Sequence, residues 1–429
     1  MDRKTFKQHP LSDDTSVLGL PTQVPEAEGF VASRLDEIDR LYEGKVAAGQ
    51  MSGIAYAVAR GGRVVHAKAI GYADLETRAE LALDSVFRLM SMTKPITAVA
   101  LMMLYDEGRF GLDDALASYL PEFAGLTVLR DPDAPAEDVV PLARAITIRD
   151  VLRHTTGYGL GFGMGGTHEK LLAKTAIYVA GETLADEMAK ITTVPLEAQP
   201  GALWNYSLSP DIQARLVEVF SGLTFERFLQ TRVFDPLRMP DTRFALRPDM
   251  ADRLAATYWM GADGLVRWAE KTMPPALPGI DWPEPLLRLD ERDLAFERGA
   301  FGLYSTLGDY MRFAQMLLGG GVLDGQRLLS EATVKLMATD QLGDIPMDWK
   351  VKGLGFGLGF AVVKQPADMG FAGTAGTFYW DGSAGTIFWV DPARDLIVVA
   401  LAQHLFVPGL DPQSINAEMH DLVYAALTE

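Results

Sequence analysis

Ser91 and Lys94 are the residues of this chain best placed to do chemistry. They stand in the run Ser91-Met92-Thr93-Lys94, and Pro95 with a long apolar stretch behind it reads as the opening of a helix. Residues three apart share one helix face, so a hydroxyl and an amine can project into one site. A serine hydroxyl is a weak nucleophile near neutral pH and needs a neighbouring base. A lysine in a dry pocket can lose its proton and become that base. The helix N-terminus adds free N–H groups and a positive dipole end where an attacked carbonyl oxygen gains charge. Taken alone, S-x-x-K also describes an ordinary surface serine and lysine, so its weight depends on what accompanies it.

Two further stretches supply company. Tyr206, in Pro200-Gly201-Ala202-Leu203-Trp204-Asn205-Tyr206-Ser207, sits in a turn before a helical pattern that includes Asp211. A phenol aimed at the Ser91–Lys94 pair could relay a proton to a leaving alcohol; otherwise it is a core aromatic with its hydroxyl satisfied locally. Tyr379-Trp380-Asp381-Gly382-Ser383-Ala384-Gly385 lies between two strand-like runs. Gly382 and Gly385 would let a backbone pass close to a ligand, and the backbone N–H of Ser383 could donate to an oxyanion. Removing one such donor typically costs about 10²–10³ in turnover.

The elements that must position these residues read as follows. Residues 1–28 are polar and proline-punctuated and predict an extended arm with no core of its own. A helix is expected over 30–48, then strands at 54–58 and 64–69 joined through Gly61-Gly62, a hairpin turn signal. The Ser91 helix should run to about Glu107 and stop at Gly108. Short helices are expected at 148–152, 184–191, 211–220 and 225–233, and a loop over 261–293. Beyond Arg298 come a helix at 307–318, strands at 355–363, 371–379, 386–390 and 396–401, and a last helix at 414–427. Strands at both chain ends with helices between them predict an α+β fold with one antiparallel sheet built from both termini and flanked by helices. The expected division is an α/β domain over 29–93 and 296–429 and a mostly helical inserted domain over 94–295, with the active site at their interface.

Composition narrows the function classes. The chain has 429 residues, 48% of them hydrophobic, which is enough for a large core. Its formal net charge of −18 makes nucleic acid and anionic membrane surfaces poor partners. Cysteine is absent, which removes disulfides, thiolate metal sites and cysteine nucleophiles together and fits a reducing cytoplasm. The charged N-terminus carries no apolar signal-like stretch, and no apolar run approaches the ~18 residues of a membrane span. A soluble, cytoplasmic protein is expected, with no metal or cofactor.

Ser91–Lys94, Tyr206 and Trp380–Gly382, in this order, resemble the serine β-lactamase and penicillin-binding-protein superfamily, with its S-x-x-K signature. Supporting landmarks are Arg88-Leu89-Met90 before Ser91, Leu152-Arg153-His154-Thr155-Thr156-Gly157, Pro236-Leu237-Arg238-Met239 and Gly302-Leu303-Tyr304-Ser305-Thr306. The resemblance runs from Gly29 to about Leu427, implies a β-lactamase-like fold of the class C type, and includes two departures. Related β-lactamases carry Y-x-N at the second motif, where this chain has Tyr206-Ser207-Leu208. Their third motif is K-T-G, whose lysine pairs with the drug carboxylate; here it is Trp380-Asp381-Gly382. An aromatic at that place is similar to the family VIII carboxylesterases, and an indole in place of a lysine favours neutral acyl esters over anionic lactams.

The resemblance implies roles residue by residue. Ser91 attacks the ester carbonyl; Lys94 and Tyr206 share the general-base and general-acid work, with their division open. The backbone N–H groups of Ser91 and Ser383 hold the oxyanion, and Trp380 and Gly382 line the substrate site. The implied activity is a serine carboxylesterase acting on short- to medium-chain esters, a small-molecule substrate class. Rivals within the same fold are a β-lactamase, a D-amino peptidase or amidase, and an acyltransferase. A ligand-binding relative without chemistry is the rival outside enzymes. Oligomeric state is not legible.

Other patterns carry less. Asp381–Gly385 looks like a G-x-S-x-G elbow but lacks the first glycine and the strand–turn–helix setting. Among the histidines, His154 is the best candidate for a Ser-His-Asp arrangement, although a turn role suits it better. No H-E-x-x-H spacing appears. Gly161-Phe162-Gly163-Met164-Gly165-Gly166 satisfies G-x-G-x-x-G without a βαβ unit, so a mobile loop over 157–166 near the pocket mouth is expected. Gly353–Gly359 reads as a strand passing close to another backbone. Trp259, Trp268 and Trp282 could cap an acyl pocket or belong to the core.

Overall fold

The computed structural model describes residues 18–163, 165–179, 181–269, 297–347, 352–405 and 413–428. Its centre is an antiparallel sheet. The N-terminal part supplies β1 (Gly53–Arg60), β2 (Arg63–Asp74) and β3 (Ala79–Glu80). The C-terminal part supplies β4 (Leu354–Phe356), β5 (Ala361–Val363), β6 (Phe378–Gly382), β7 (Thr386–Asp391) and β8 (Leu396–Ala402). The spatial order is β4-β5-β6-β7-β8-β1-β2-β3. The two chain ends meet where β1 pairs with β8, from Ile54 opposite Ala402 to Arg60 opposite Leu396. Gly61 and Gly62, at φ 59° and 73°, make the β1–β2 turn, the left-handed pair that a tight hairpin demands.

Both faces of the sheet are covered, and β1 shows how. Side chains alternate across a strand, so Ile54, Tyr56 and Val58 enter one apolar cluster while Ala55, Ala57 and Ala59 enter the other. On the first face lie α1 (Ala32–Ala47) and the C-terminal helix, whose Met419 and Val423 pack there beside Leu35 and Ile38. On the second face lies the helix Leu307–Leu318, with Phe313 and Tyr310 against Phe388 of β7.

Behind that layer runs α2 (Thr93–Asp106), in which every side chain from Thr93 to Leu104 is buried. A helix apolar all round belongs in the middle of a core. It packs on α3 (Ser209–Ser221), so the elements carrying Ser91 and Tyr206 lie side by side.

Several local expectations are corrected. The arm is not free of the core, because Leu18 and Leu20 are buried in the large cluster; residues 1–17 lie outside the described set. Residues 355–363 are two short strands rather than one. Gly359, at φ 98°, turns the chain between them, where a Cβ would lie 2.3 Å from that of Ala98. At Gly357 the close passage inferred from the glycines is present, since a Cβ there would sit 1.9 Å from the Met337 carbonyl oxygen. The helix expected to 233 is α-helical only over Phe225–Leu229 and widens to a π-turn over Gln230–Phe234. Residues expected as loop from 261 begin instead inside a hairpin of Tyr258–Gly261 with Gly264–Arg267. Among the described residues no helix is long and apolar enough to cross a membrane.

Candidate active site

The segment before Ser91 is held by both ends of the chain. Val86–Arg88 pairs antiparallel with Tyr304–Thr306, and the Leu89 N–H donates to the Leu303 carbonyl at 2.9 Å. This is the structural work of Gly302-Leu303-Tyr304-Ser305-Thr306. Met90 then adopts φ 50°, a left-handed conformation that costs a non-glycine residue of order 1–3 kcal/mol. Ser91 follows in a 3₁₀ turn, Met90–Met92, which feeds straight into α2. Tyr310 donates to the Met92 carbonyl at 2.9 Å from the opposite side.

Lys94 and Tyr206 converge on this serine. The Tyr206 hydroxyl donates to Ser91 Oγ at 2.7 Å, and Lys94 Nζ lies 3.1 Å from the same atom. The amine also stands 4.6 Å from the centre of the Tyr206 ring. A third contact anchors it, a 2.8 Å bond from Nζ to the Ala300 carbonyl. Lys94 is buried. Burial depresses its pKa to about 7, against the pull of the Asp211 and Asp381 carboxylates. Burial moves the Tyr206 phenol the other way, further above the ordinary tyrosine range, with the Ser91 and Trp380 bonds to it opposing. The site therefore pairs an amine that can be neutral near pH 7 with a phenol that keeps its proton.

The phenol is caged by aromatic rings. Trp380 lies 5.6 Å from Tyr206 and meets Phe356 edge-on at 5.4 Å. The His154 ring stacks on Tyr206 at 5.8 Å, and Trp204 stacks at 6.4 Å. Trp380 is itself buried and forms an inner wall. His154, the histidine weighed for a triad, bonds through Nδ1 to Ser207 Oγ at 3.0 Å. Burial takes its pKa down to about 3, with Lys94 adding to the effect, so it is a neutral ring supporting the phenol from behind. Its carbonyl accepts the Asn205 N–H at 3.0 Å, which fixes the approach to Tyr206.

The end of β6 comes up beside the nucleophile turn. A Cβ at Gly382 would sit 2.4 Å from the Leu89 carbonyl oxygen and 2.3 Å from Thr386 Oγ1, so only glycine fits. Thr386 Oγ1 donates to that same carbonyl at 2.9 Å. Ser383 follows directly, at an exposed turn. Asp381, next to Trp380, is raised to about 6 by burial, with Lys94 opposing.

An apolar cluster flanks the nucleophile turn and the end of β6. Met90, Ala384, Leu405 and Trp268 are buried together, with Phe162 and Trp259 packed on them. Trp268 is therefore core, Trp259 half-buried, and Trp282 lies outside the described residues. The glycine-rich loop carrying Phe162 is pinned rather than free. The Glu169 carboxylate accepts the N–H groups of Leu160 at 2.6 Å, Gly161 at 3.1 Å and Phe162 at 3.1 Å. His168 accepts the Gly159 N–H at 2.9 Å. A loop with its backbone donors gathered on one buried carboxylate is ordered at little cost in unsatisfied groups. The sequence hint was Glu169 itself, close behind a run of glycines.

Sequence reasoning named Ser91, Lys94, Tyr206, Trp380, Gly382 and Ser383, and these gather at one place. It missed the Ala300 carbonyl, Phe356 and the carboxylates behind Lys94. Backbone acceptors leave no mark in a sequence, and Phe356 is indistinguishable there from any strand aromatic. Among the described residues no group of three His, Asp or Glu side chains stands in metal-ligating proximity.

Comparison with known proteins finds relatives over most of the chain. The Mycobacterium tuberculosis protein Rv1367c is 33% identical over 366 residues, covering 83% of this chain and 87% of its own length. Esterase EstB of Burkholderia gladioli is 29% identical over 417 residues, covering 94% and 98%. The solved structure of EstCE1, described as a hydrolase with promiscuous acyltransferase activity, superposes with a TM-score of 0.75 at 25% identity over 93% of this chain and all of its own. Residues 38–415 match the family model described as Beta-lactamase. The chain accordingly belongs to the β-lactamase family, within the serine β-lactamase and penicillin-binding-protein superfamily, and has the β-lactamase-like fold.

Proposed function

We propose that the chain is a serine carboxylesterase of the family VIII type, hydrolysing short- to medium-chain acyl esters through an acyl-enzyme. The convergence of Tyr206 and Lys94 on Ser91 Oγ, at 2.7 and 3.1 Å, carries this reading. Neutral Lys94 takes the Ser91 proton as Oγ bonds to the ester carbonyl carbon. The carbonyl oxygen becomes the oxyanion, received by the backbone N–H groups of Ser91 and Ser383. Collapse breaks the bond to the alcohol oxygen, which leaves with a proton delivered through Tyr206 and replaced from the Lys94 ammonium. Water then attacks the acyl carbon and gives one proton to the same pair, which returns it to Ser91 Oγ as the acyl–oxygen bond breaks and the carboxylic acid leaves. Lys94 suits the base role because its pKa of about 7 lies at the working pH, while burial keeps the phenol protonated.

The substrate preference follows from the third motif. Trp380 and Asp381 occupy the place where lactam-hydrolysing relatives keep a lysine for the drug carboxylate. The Asp381 carboxylate disfavours an anionic group at that place, and the Trp380 indole offers apolar surface in place of a cation. The resemblance to esterase EstB points the same way. Side-by-side turnover of p-nitrophenyl butyrate, a chromogenic cephalosporin and a D-amino acid amide tests the ranking. The ester is expected to lead by orders of magnitude in kcat/KM; a lactam in front would refute it. Acyl transfer is the second reading, favoured by the description of EstCE1, because an alcohol can replace water at the acyl carbon. Added alcohol would then divert acyl groups from the free acid to a new ester, with p-nitrophenol release unchanged or faster.

A pH profile follows from the same assignment. Only neutral Lys94 can accept the serine proton, so kcat/KM is expected to rise with pH through about 7 as the ammonium is lost. A profile flat from pH 5 to 9 would remove Lys94 from the base role.

A further inference from the structure

Beneath Lys94 lies a set of buried charged groups that the reaction as described does not use. Asp211, in the first turn of α3, is fully buried. Its Oδ1 accepts the Ala300 N–H at 3.0 Å, and the Ala300 carbonyl accepts Lys94 Nζ at 2.8 Å. One residue thus stands between carboxylate and amine, held at both ends. Its neighbour Gly299 is clamped as well. The Thr97 hydroxyl of α2 donates to the Gly299 carbonyl at 2.8 Å, and a Cβ on Gly299 would sit 2.0 Å from the Pro210 carbonyl oxygen. The strip 299–300 is wedged between the two helices.

Glu187, from the helix Leu184–Ile191, faces Asp211 and is as deeply buried. Arg298 Nε lies 2.6 Å from its carboxylate. Burial pushes the Glu187 carboxyl well above its ordinary range, and the Asp211 charge adds to it. Burial raises Asp211 too, against Arg298, its bond to Ala300 and Lys94. Two carboxyls facing each other in a dry site cannot both ionise cheaply. With Lys94 neutral, Arg298 supplies the positive charge beside Asp211 and Glu187, and one proton shared by that carboxyl pair leaves these three groups without net charge. A buried net charge is what such a cluster must avoid.

We propose that Asp211 is a positioning residue for Lys94. It fixes Ala300, whose carbonyl aims the amine at Ser91, and with Glu187 it stores one proton that sets the charge facing that amine. The inference rests on Lys94 acting as the base in the proposed ester hydrolysis. The groups around the amine are Asp211 from α3, Asp381 from β6, the Tyr206 phenol and the neutral His154 ring, with Glu187 and Arg298 behind Asp211.

Two variants separate a charge role from a packing role because they shift the profile in opposite directions. Asp211→Asn keeps an oxygen for the Ala300 N–H but removes the carboxylate that acts most strongly on Lys94. The acid limb of kcat/KM should move to lower pH by about one unit, the smaller end of what a neighbouring charge does. Glu187→Gln takes the shared proton's second site away, leaves Asp211 fully ionised, and should move the limb to higher pH. A second readout needs no turnover. In a Ser91→Ala background, arylation of Lys94 by 1-fluoro-2,4-dinitrobenzene, mapped by mass spectrometry across pH, reports the amine's own titration. It should show the same pair of opposite shifts. If both variants leave the Lys94 titration where it was, or move it the same way, the proposal is overturned. If the titration shifts as stated while Ser91→Ala still turns over esters, the charge coupling stands and the hydrolase assignment falls. Should Asp211→Asn fail to fold, the sign of the Glu187→Gln shift alone decides.

Discussion

Lys94→Met is expected to lower ester turnover by about 10⁴-fold, the upper end of what a positioned general base contributes, without destabilising the fold. The two halves of this expectation come from the same burial. The amine sits in a core that depresses its pKa to about 7, so holding it there is a cost of function rather than a source of stability. Methionine fills nearly the same volume and carries no polar group to leave unsatisfied. The Ala300 carbonyl loses its donor, which offsets part of that gain, so thermal unfolding should give a nearly unchanged midpoint. Lys94→Arg makes the complementary case. A guanidinium keeps the positive charge and the donors toward Ala300 and Ser91 but stays protonated throughout the working range. It should be as inactive as Lys94→Met. Recovery of activity in the arginine variant would mean that the site needs a cation at this position, and the base would have to be sought elsewhere.

Ser91→Ala is the second large effect. The serine supplies the atom that becomes covalently linked to the acyl group, and residues that act as one unit lose nearly everything when one is removed. Turnover of p-nitrophenyl esters should fall on the order of 10⁶-fold, and rapid mixing should show no burst of p-nitrophenol. The fold has little stake in the hydroxyl. Ser91 is only partly buried, and the bonds that shape its turn run through the backbone of Leu89 and Met92. A variant that retained a burst would place the nucleophile at another residue.

Much of this arrangement is legible in the amino-acid sequence, for identifiable reasons. The sheet built from both ends follows from strand-length apolar runs and from Gly61-Gly62, whose left-handed angles leave few alternatives. Ser91, Lys94 and Tyr206 announce themselves because each lies in a motif whose spacing matters to chemistry. The misses share a cause, which is that their roles are set by what approaches from elsewhere. Residues 355–363 read as one strand because nothing local says that Ala98 lies against Gly359. The 157–166 loop reads as mobile from its glycines, while Glu169 and His168 pin it through its own N–H groups. Asp211 reads as an ordinary acidic residue in the first turn of a helix, a favourable place for one. Its importance appears only with Ala300, a residue 89 positions along the chain. His154 is legible. A turn role suits this histidine better than a catalytic one already in the sequence, and its bond to Ser207 agrees.

The most direct test is covalent. Incubation with a fluorophosphonate at about pH 8, where Lys94 is mostly neutral, followed by peptide mapping, reports which oxygen the site activates. One adduct is expected, on Ser91, formed with loss of esterase activity and strongly slowed in Lys94→Met. An adduct on Ser383 or any other serine, or full inactivation with Ser91 unmodified, would contradict the assignment.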